Sequence, residues 1–119
     1  MIVNLWEETI EALETHGKTW KEVYFICGRD FCISNFEEIA KATNYDSGYG
    51  RQEVALDLTI VGKDWWLERA EYDGAEWWVF RTIPDKPRRI EKIKALVGEY
   101  GWSTMEQINL SKKGKYYDG

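Results

Sequence analysis

Side chains that could catalyse a reaction are few in this chain, and they lie far apart in the sequence. The single histidine, His16, could act as a base, and Cys27 and Cys32 could act as nucleophiles. No Ser-His-Asp arrangement can be recognised, and no spacing places His16 beside either cysteine. His16 instead precedes Gly17 at the expected end of a helix, where a positive imidazole stabilises the helix dipole. We therefore interpret His16 as a helix-end residue.

Paired carboxylates are a second source of acid–base chemistry. Glu68 with Glu71, or Glu71 with Glu76, could donate and accept protons if they lay close together. Charged strand positions near a loop tip are usually solvated, so we expect no catalysis from them. Neither cysteine has histidines or further cysteines clustered around it, and we expect no metal site and no cofactor. The chain is accordingly predicted not to be an enzyme.

The segment NYDSGYG, residues 44–50, combines turn-forming residues with side chains that could bind a ligand. Its candidate binding residues are Tyr45, Asp46 and Tyr49. A phosphate-binding loop would need a Gly-Lys-Ser/Thr ending and a preceding strand, and the segment has neither. We interpret 44–50 as a connecting loop. The alternative is that it forms, with the tryptophans, the pocket of a small-molecule or glycan-binding domain or of a weak enzyme.

Hydrophobic periodicity predicts the elements around these residues. Asn4 and Glu7 form a capping-box-like start for an amphipathic helix that ends near Gly17. Residues 22–34 predict a hairpin with a glycine-dependent turn. Residues 34–44 predict a short helix that begins with a second capping pattern.

Cys27 and Cys32 both fall within the hairpin of residues 22–34. Depending on the register they lie opposite each other, where a disulfide is geometrically feasible. Two buried reduced thiols are the favoured interpretation, because cytosolic proteins seldom keep disulfides.

The second half of the chain predicts more strands. Residues 53–60 alternate apolar and polar side chains, which is typical of a strand with one face on the core. With the hairpin predicted for 64–83, this strand would form an antiparallel meander. The pattern over 88–97 predicts a helix, with a strand as the alternative, and Ser103 with Glu106 predicts a last helical turn.

The predicted fold class is α+β. We expect an antiparallel sheet of about five strands, two hairpins among them, with an N-terminal helix and one or two further helices packed on one face. At 119 residues the chain fits a single domain, 1–119, with a frayed tail over about 112–119. No apolar run approaches about 18 residues and no signal peptide is recognised, so we expect a cytoplasmic protein without a membrane span.

Residues 64–83 hold two Trp-Trp pairs around an Asp-Gly turn, which is among the strongest sequence signals for a hairpin. Counting outward from a two-residue loop places Arg69 opposite Trp78 and Trp66 opposite Arg81, as cross-strand cation–π pairs. Each face then mixes aromatic with charged side chains, so at least one Trp pair should be partly exposed. The candidate binding residues here are Trp65, Trp66, Arg69, Glu71, Tyr72, Glu76, Trp77 and Trp78.

Two interpretations of this hairpin are open. Its aromatic and charged side chains could simply stabilise the sheet, or they could form a recognition surface, because Trp, Tyr and Arg dominate binding hot spots. Direct nucleic-acid binding is disfavoured, since the hairpin strands and their turn carry four acidic and two basic side chains. Residues 1–60 carry 11 acidic and 5 basic side chains, while residues 84–119 carry 8 basic and 5 acidic. This asymmetry could orient the protein toward a partner, although solubility is the commoner reason for a negative surface. The acidity of the hairpin itself fits a basic protein partner.

The chain resembles small uncharacterised proteins encoded by phages and prophages of Gram-positive bacteria. The resemblance lies in three segments and a proline shortly after them; the segments are NYDSGYG, IVGKDWWLER and EYDGAEWWVF. The resemblance covers roughly residues 4–87. It implies a small accessory product in the cytosol of an infected or lysogenic bacterial cell, and it implies no catalytic or binding residue. Products of this kind often bind and inhibit a host protein, including defence proteins such as CRISPR effectors.

Three functions follow as hypotheses. The first is a module that binds a host protein through the tryptophan-rich hairpin and the adjacent segment 44–50. The second is the ligand-binding domain or weak enzyme with a pocket at that segment. The third is a structural subunit with tryptophans at a homodimer interface.

Overall fold

The computed structural model describes residues 1–48, 50–99 and 101–110, which form mixed α and β elements. The chain is divided into two compact units, Met1–Pro84 and Asp85–Gly119. The predicted α+β class is confirmed, with a five-stranded antiparallel sheet, an N-terminal helix and two further helices. In chain order the elements are β1 (Ile2–Asn4), α1 (Leu5–Thr15), a 3-10 turn (Trp20–Glu22), β2 (Phe25–Cys27), β3 (Cys32–Ile33), α2 (Phe36–Lys41), β4 (Asn44–Asp46), β5 (Thr59–Val61), β6 (Trp65–Tyr72), β7 (Ala75–Thr82) and α3 (105–110).

The five-stranded sheet of the first unit has the order β3-β2-β5-β6-β7, and every neighbouring pair of strands is antiparallel. A row of apolar side chains crosses four of its strands, formed by Ile26, Ile60, Leu67 and Phe80. Ile60 and Leu67 are fully buried in this row. The predicted meander of three strands is confirmed as β5-β6-β7.

The turn between β6 and β7 is the one expected from its Asp-Gly sequence. Asp73 and Gly74 have φ angles of 50° and 89°, and a type I′ turn requires positive φ at both central residues. This turn sets the register of the hairpin, so Arg69 faces Trp78 as predicted, and the other predicted pairs are also confirmed.

Helix α1 begins and ends as predicted. The backbone N–H of Glu7 donates to Asn4 Oδ1 at 3.1 Å, which satisfies a donor that has no partner within the helix. Gly17, with a φ of 70°, lies just beyond the end of the helix in a conformation that a glycine adopts without strain. Thr9 and Leu13 are fully buried on the face that packs against β7.

The strand predicted over 53–60 is wrong for most of its length, since only Thr59–Val61 is a strand there. The backbone N–H groups of Glu53 and Val54 donate to the Glu76 carboxylate, at 2.6 and 3.3 Å. A side chain from the distant hairpin therefore occupies donors that the alternating pattern assigned to a neighbouring strand.

The interpretation of 44–50 as a loop is wrong for its first three residues. These residues form β4, which pairs with β1 in a separate two-stranded sheet. Asn4 Nδ2 also donates to Asn44 Oδ1 at 3.0 Å across this pair. The pairing of β4 with β1 joins segments that are distant in the sequence. The turn-forming residues within 44–50 therefore could not predict it.

Helix α2 lacks the capping pair predicted at its start. The helix begins at Phe36, so Asn35 rather than the predicted Ser34 is its N-cap residue, and Asn35 makes no side-chain capping hydrogen bond. Glu37 instead forms an ion pair with Lys41 one turn later, at 2.7 Å.

In the second unit, residues 88–97 form neither the predicted helix nor the alternative strand. The Asn109 side chain holds part of this segment, because its Oδ1 accepts the N–H groups of Lys94 and Ala95 at 2.7 and 2.9 Å. These two donors are therefore satisfied by a side chain, and an irregular backbone is stable here without a helix or a ladder.

The last predicted helical turn is confirmed as α3, with its cap shifted by one residue from Ser103 and Glu106. Thr104 Oγ1 accepts the N–H of Gln107 at 3.1 Å, and Gln107 Oε1 accepts the N–H of Thr104 at 2.9 Å. This reciprocal pair is a capping box. The tail predicted over 112–119 lies outside the described residues, and the single domain over 1–119 stays a prediction.

Candidate functional site

The tryptophan hairpin has two different faces, and each Trp-Trp pair is divided between them. Trp65 and Trp78 point to the inner face and are buried. Trp66 is half-buried and Trp77 is 41% exposed on the outer face. The prediction that at least one Trp pair is partly exposed is confirmed, and each pair is divided because successive residues of a strand point to opposite faces. One tryptophan of each pair is accessible to a partner.

The inner face holds a buried ionic network centred on Arg69, whose side chain is fully buried. Arg69 Nη2 donates to Glu76 Oε1 at 2.8 Å and to the Tyr45 hydroxyl at 2.9 Å. Arg69 Nη1 donates to Glu8 Oε2 at 3.3 Å. The Tyr45 hydroxyl in turn donates to Glu8 Oε1 at 2.6 Å. The network joins α1, β4, β6 and β7.

Aromatic rings enclose the charge of Arg69. Its guanidinium lies 4.7 Å from the ring centroid of Trp78 and 5.6 Å from that of Tyr45. Trp78 Nε1 donates to Thr9 Oγ1 at 3.0 Å, so the indole is fixed by a hydrogen bond as well as by packing. The predicted cation–π contact of Arg69 with Trp78 is confirmed, and it is buried rather than exposed.

Trp66 and Arg81 are cross-strand partners as predicted, but a carboxylate joins them in place of the predicted cation–π contact. Arg81 Nε lies 3.4 Å from the Glu68 carboxylate. The same carboxylate oxygen accepts a hydrogen bond from Trp66 Nε1 at 2.8 Å. Glu68 thus links the two residues that were predicted to stack on each other.

The electrostatics of the network keep its protonation states fixed near neutral pH. Burial, together with the hydrogen bond to Glu8, raises the pKa of Tyr45. Burial of Arg69 disfavours its charge, but the hydrogen bonds to Glu76 and Tyr45 outweigh this and raise the pKa of the guanidinium. A neutral phenol and a charged guanidinium are therefore maintained, which suits a structural role better than proton transfer.

Replacing Tyr45 by Phe should change how stability depends on pH in the alkaline range. The pKa of Tyr45 is raised above its ordinary value of about 10. Because the pKa of Tyr45 is higher in the folded than in the unfolded protein, its contribution to the free energy of unfolding is complete below the ordinary pKa. This contribution is lost as pH rises through the folded-state pKa. We expect the wild type to lose stability above about pH 10, and Tyr45→Phe to lose less over the same range. Urea denaturation at stepped pH values measures this, and equal losses would contradict the assignment.

The outer face of the sheet carries accessible aromatic side chains. One row across the strands consists of Phe25, Val61, Trp66 and Arg81. Phe25 is 46% exposed. Tyr72, beside the hairpin turn, is 77% exposed on the same face. These residues form what we call the outer aromatic face, defined by Phe25, Val61, Trp66, Tyr72, Trp77 and Arg81.

Strand β7 lies at the end of the sheet, and one side of its backbone faces away from β6. The two-residue turn directs the N–H groups of its odd-numbered residues toward β6, so those of the even-numbered residues point to the edge. At one end of this edge, the N–H of Glu76 donates to the Ser47 carbonyl at 2.8 Å. The N–H groups of Trp78, Phe80 and Thr82 have no hydrogen-bond partner among the residues that the structure describes.

The two described candidate residues of segment 44–50, Tyr45 and Asp46, have different surroundings. Tyr45 is buried beside Arg69, and Asp46 Oδ1 accepts the terminal ammonium of Met1 at 2.9 Å. That hydrogen bond lowers the pKa of Asp46. Tyr49 lies outside the described residues. The segment does lie beside the hairpin, as predicted, because the Ser47 carbonyl accepts the N–H of Glu76 at the edge of β7.

Tyr45 lines a cavity of about 460 Å³ on the side of the sheet where α2 packs. No tryptophan lines this cavity, so it is a different cavity from the pocket predicted from Tyr45, Asp46, Tyr49 and the tryptophans, which stays a prediction. Its lining is mainly apolar, with polar groups from a few residues. The lining residues are Leu5, Ile33, Asn35, Phe36, Ile39, Ala40, Thr43, Asn44, Tyr45, Glu53, Val54, Ala55 and Leu58.

Of the predicted binding residues, five are buried and three are open to solvent. Glu71 and Tyr72 are exposed, Trp77 is partly exposed, and Trp66 is half-buried. Glu8, which completes the network, was missed by sequence reasoning because nothing local connects it to the hairpin. Its signal was weak, since α1 contains four glutamates and nothing in the sequence distinguishes Glu8 from the others. The buried residues are Tyr45, Trp65, Arg69, Glu76 and Trp78.

Comparisons of the chain with models of protein families, with curated proteins and with solved structures found no match. Within the described part of the chain, no helix is long and apolar enough to cross a membrane. The same residues contain no cluster of three or more His, Cys, Asp or Glu side chains that could hold a metal ion.

Proposed function

We propose that this chain is a protein-binding module whose contact surface consists of the outer aromatic face and the edge of β7. The observation that carries the proposal is their adjacency. Trp77 lies on the outer aromatic face and belongs to β7, in which the edge N–H groups of Trp78, Phe80 and Thr82 have no partner among the described residues. An accessible aromatic surface supplies binding energy, and a free strand edge supplies hydrogen bonds to a polypeptide.

The aromatic surface fits the composition of binding hot spots. Trp66, Tyr72, Trp77 and Arg81 are of the three residue types that dominate such sites. Trp66 and Arg81 are also anchored, since both side chains contact the Glu68 carboxylate. Anchored side chains lose little conformational entropy when a partner covers them.

The free edge indicates the chemical class of the partner. The backbone N–H and C=O groups of Trp78, Phe80 and Thr82 at this edge alternate as donors and acceptors at the spacing of an extended polypeptide. A glycan or a nucleotide does not reproduce that spacing. Residues 1–84 carry 16 acidic and 8 basic side chains. We infer a partner that presents an extended polypeptide segment with basic and apolar side chains, rather than a nucleic acid.

The cellular setting of this proposal rests on the resemblance in the NYDSGYG and tryptophan-rich segments. On that basis the chain is an accessory protein of a phage or prophage, it acts in the cytoplasm of an infected or lysogenic bacterial cell, and its partner is a host protein. Inhibition of a host defence protein is one outcome of such binding. Homodimer formation through the same surface is the competing outcome.

Replacing Trp66 and Trp77 together by Ala should abolish partner capture without unfolding the protein. Both rings lie on the outer aromatic face, so their loss removes contact area and leaves the buried network intact. We expect affinity for the partner to fall roughly 30-fold or more, which corresponds to one hot spot of about 2 kcal/mol. Tagged protein is incubated with nuclease-treated lysate of a Gram-positive host, the partner is identified by mass spectrometry, and its affinity is then measured with purified protein.

Trp102→Ala is the matched control, because it also removes an accessible tryptophan but lies outside the hairpin. It should bind the partner like the wild type.

Thr82→Pro tests the edge separately, since proline removes an N–H that points away from β6 and leaves the hydrogen bonds between β6 and β7 unbroken. Equal capture by wild type and Trp66→Ala/Trp77→Ala would reject this surface. Capture of only a second copy of the chain, measured by light scattering, would favour the homodimer.

A further inference from the structure

The hairpin β2–β3 brings the two cysteines of the chain directly opposite each other. Cys27 and Cys32 are register partners, and both are free. The N–H of Gly28 donates to the Phe31 carbonyl at 2.9 Å, so these next two residues form a hydrogen-bonded pair. Because pairs alternate along an antiparallel ladder, Cys27 and Cys32 form a non-hydrogen-bonded pair, in which Cα atoms lie about 4.5 Å apart. That spacing lies within the range of roughly 4.4–6.8 Å that a disulfide can bridge.

A contact from outside the hairpin holds its turn in place. The N–H of Arg29 donates to Asp57 Oδ2 at 2.7 Å. A Cβ at Gly28 would meet the same carboxylate oxygen at 2.7 Å, so only a glycine allows Asp57 to approach this closely. The two thiols are therefore kept opposite each other in the folded protein, and bond formation between them does not have to order the turn first.

The two thiols differ in accessibility, and the difference indicates the order of reaction. Cys32 is exposed, whereas Cys27 is half-buried. Partial burial, with a contribution from the neighbouring Cys32, raises the pKa of the Cys27 thiol. Cys32 is thus the group that an oxidant in solution reaches first, and Cys27 is placed to react second.

We propose that Cys27 and Cys32 are a reversible redox modification site, at which a small-molecule disulfide such as oxidised glutathione forms an intrachain cross-strand disulfide. The Cys32 thiolate attacks one sulfur of the oxidant, forms a mixed disulfide and releases one reduced thiol. The Cys27 thiol then loses its proton, attacks the Cys32 sulfur and releases the second reduced thiol. The two cysteines are oxidised by two electrons, and one oxidant molecule is reduced to two thiols. Excess reduced glutathione reverses both steps.

This site is independent of the proposed binding function, although it lies on the same side of the sheet. Cys27 has the same parity in β2 as Phe25, so both belong to the outward-facing positions of that strand. The disulfide would fix β3, a strand of only two residues at the edge of the sheet. Fixing that edge holds the hairpin next to Phe25 in one register.

To test the proposal, the native chain of residues 1–119 is treated with oxidised glutathione. Its intact mass and its number of free thiols are then measured under denaturing conditions. We expect the wild type to lose two hydrogens in mass, to go from two free thiols to none, and to return on addition of reduced glutathione. Cys27→Ser should instead keep one glutathione on Cys32, because no second thiol can displace it. Cys32→Ser should acquire the adduct more slowly than Cys27→Ser.

Two results would overturn the proposal. One is stable glutathione adducts or intermolecular disulfide dimers on the wild type in place of the intrachain bond. The other is closure of the disulfide at the same rate in the native protein and in urea, since this would show that the hairpin does not hold the thiols together. Faster closure in the native protein supports the site as a property of the fold.

Discussion

Glu76→Ala is expected to lower the free energy of unfolding by about 3–5 kcal/mol, because removing the nearer partner of a buried ion pair leaves the Arg69 charge with only its 3.3 Å contact to Glu8. Arg69, whose side chain is fully buried, would lose its 2.8 Å contact with Glu76. The N–H groups of Glu53 and Val54 would lose the same acceptor. Urea denaturation followed by tryptophan fluorescence measures the loss as a lower midpoint with an unchanged slope.

Glu71→Ala is the matched control for this substitution. Glu71 is the cross-strand partner of Glu76 and has the same side-chain chemistry, but it is exposed. Its replacement should change stability by less than about 0.5 kcal/mol. A loss of the same size at the two positions would mean that Glu76 is not part of a buried network.

A double substitution separates the ion pair from simple packing. Arg69→Met combined with Glu76→Leu removes both charges together, so neither is left buried without its partner. We expect its effect to be smaller than the sum of the two single effects by about 0.5–3 kcal/mol, as for residues in direct contact. Additive effects would contradict a direct coupling between Arg69 and Glu76.

Gly62→Ala is expected to have the second-largest effect, lowering the free energy of unfolding by about 3 kcal/mol, the upper end for overpacking a core. A Cβ at Gly62 would lie 2.1 Å from a carbon of the Trp65 indole. Trp65 is buried and stacks on Phe80, with ring centroids 5.8 Å apart, so the rigid ring has little room to move. The N–H of Gly62 also donates to the Trp65 carbonyl at 2.9 Å, which fixes the backbone in the same place.

Gly48→Ala provides the comparison for this prediction. Nothing lies within 4 Å of a Cβ placed at Gly48, so the substitution should leave the urea midpoint almost unchanged. If Gly62→Ala and Gly48→Ala unfold at the same urea concentration, the close packing of Trp65 against Gly62 is wrong.

Strong local signals were sufficient for part of the fold. The Asp73-Gly74 turn determined the register of the tryptophan hairpin, because only a few backbone conformations satisfy a two-residue loop. The N-cap of α1 at Asn4 and the glycine after its end were predicted for the same reason. In each case the deciding interactions join residues that are close in the sequence.

Predictions failed where a distant group replaced the local partner of the backbone. Residues 53–58 alternate like a strand, yet the Glu76 carboxylate takes two of their N–H groups. Residues 88–97 show a helical pattern, yet Asn109 binds part of their backbone. Periodicity reports which side chains are apolar, but not which side chain elsewhere in the chain will satisfy a given donor.

For the candidate site, the alternation of side chains along β6 and β7 was enough to place Trp65, Arg69 and Trp78 on one face and Trp66 and Trp77 on the other. Which face is buried could not be derived from that alternation, since both faces mix aromatic and charged residues. The sequence by itself determined the class of fold, the hairpin and its register, because these follow from local backbone geometry. Only the tertiary structure decided that Arg69 is buried and Trp77 accessible, because α1 supplies Glu8 and Thr9, and β4 supplies Tyr45, to the inner face alone.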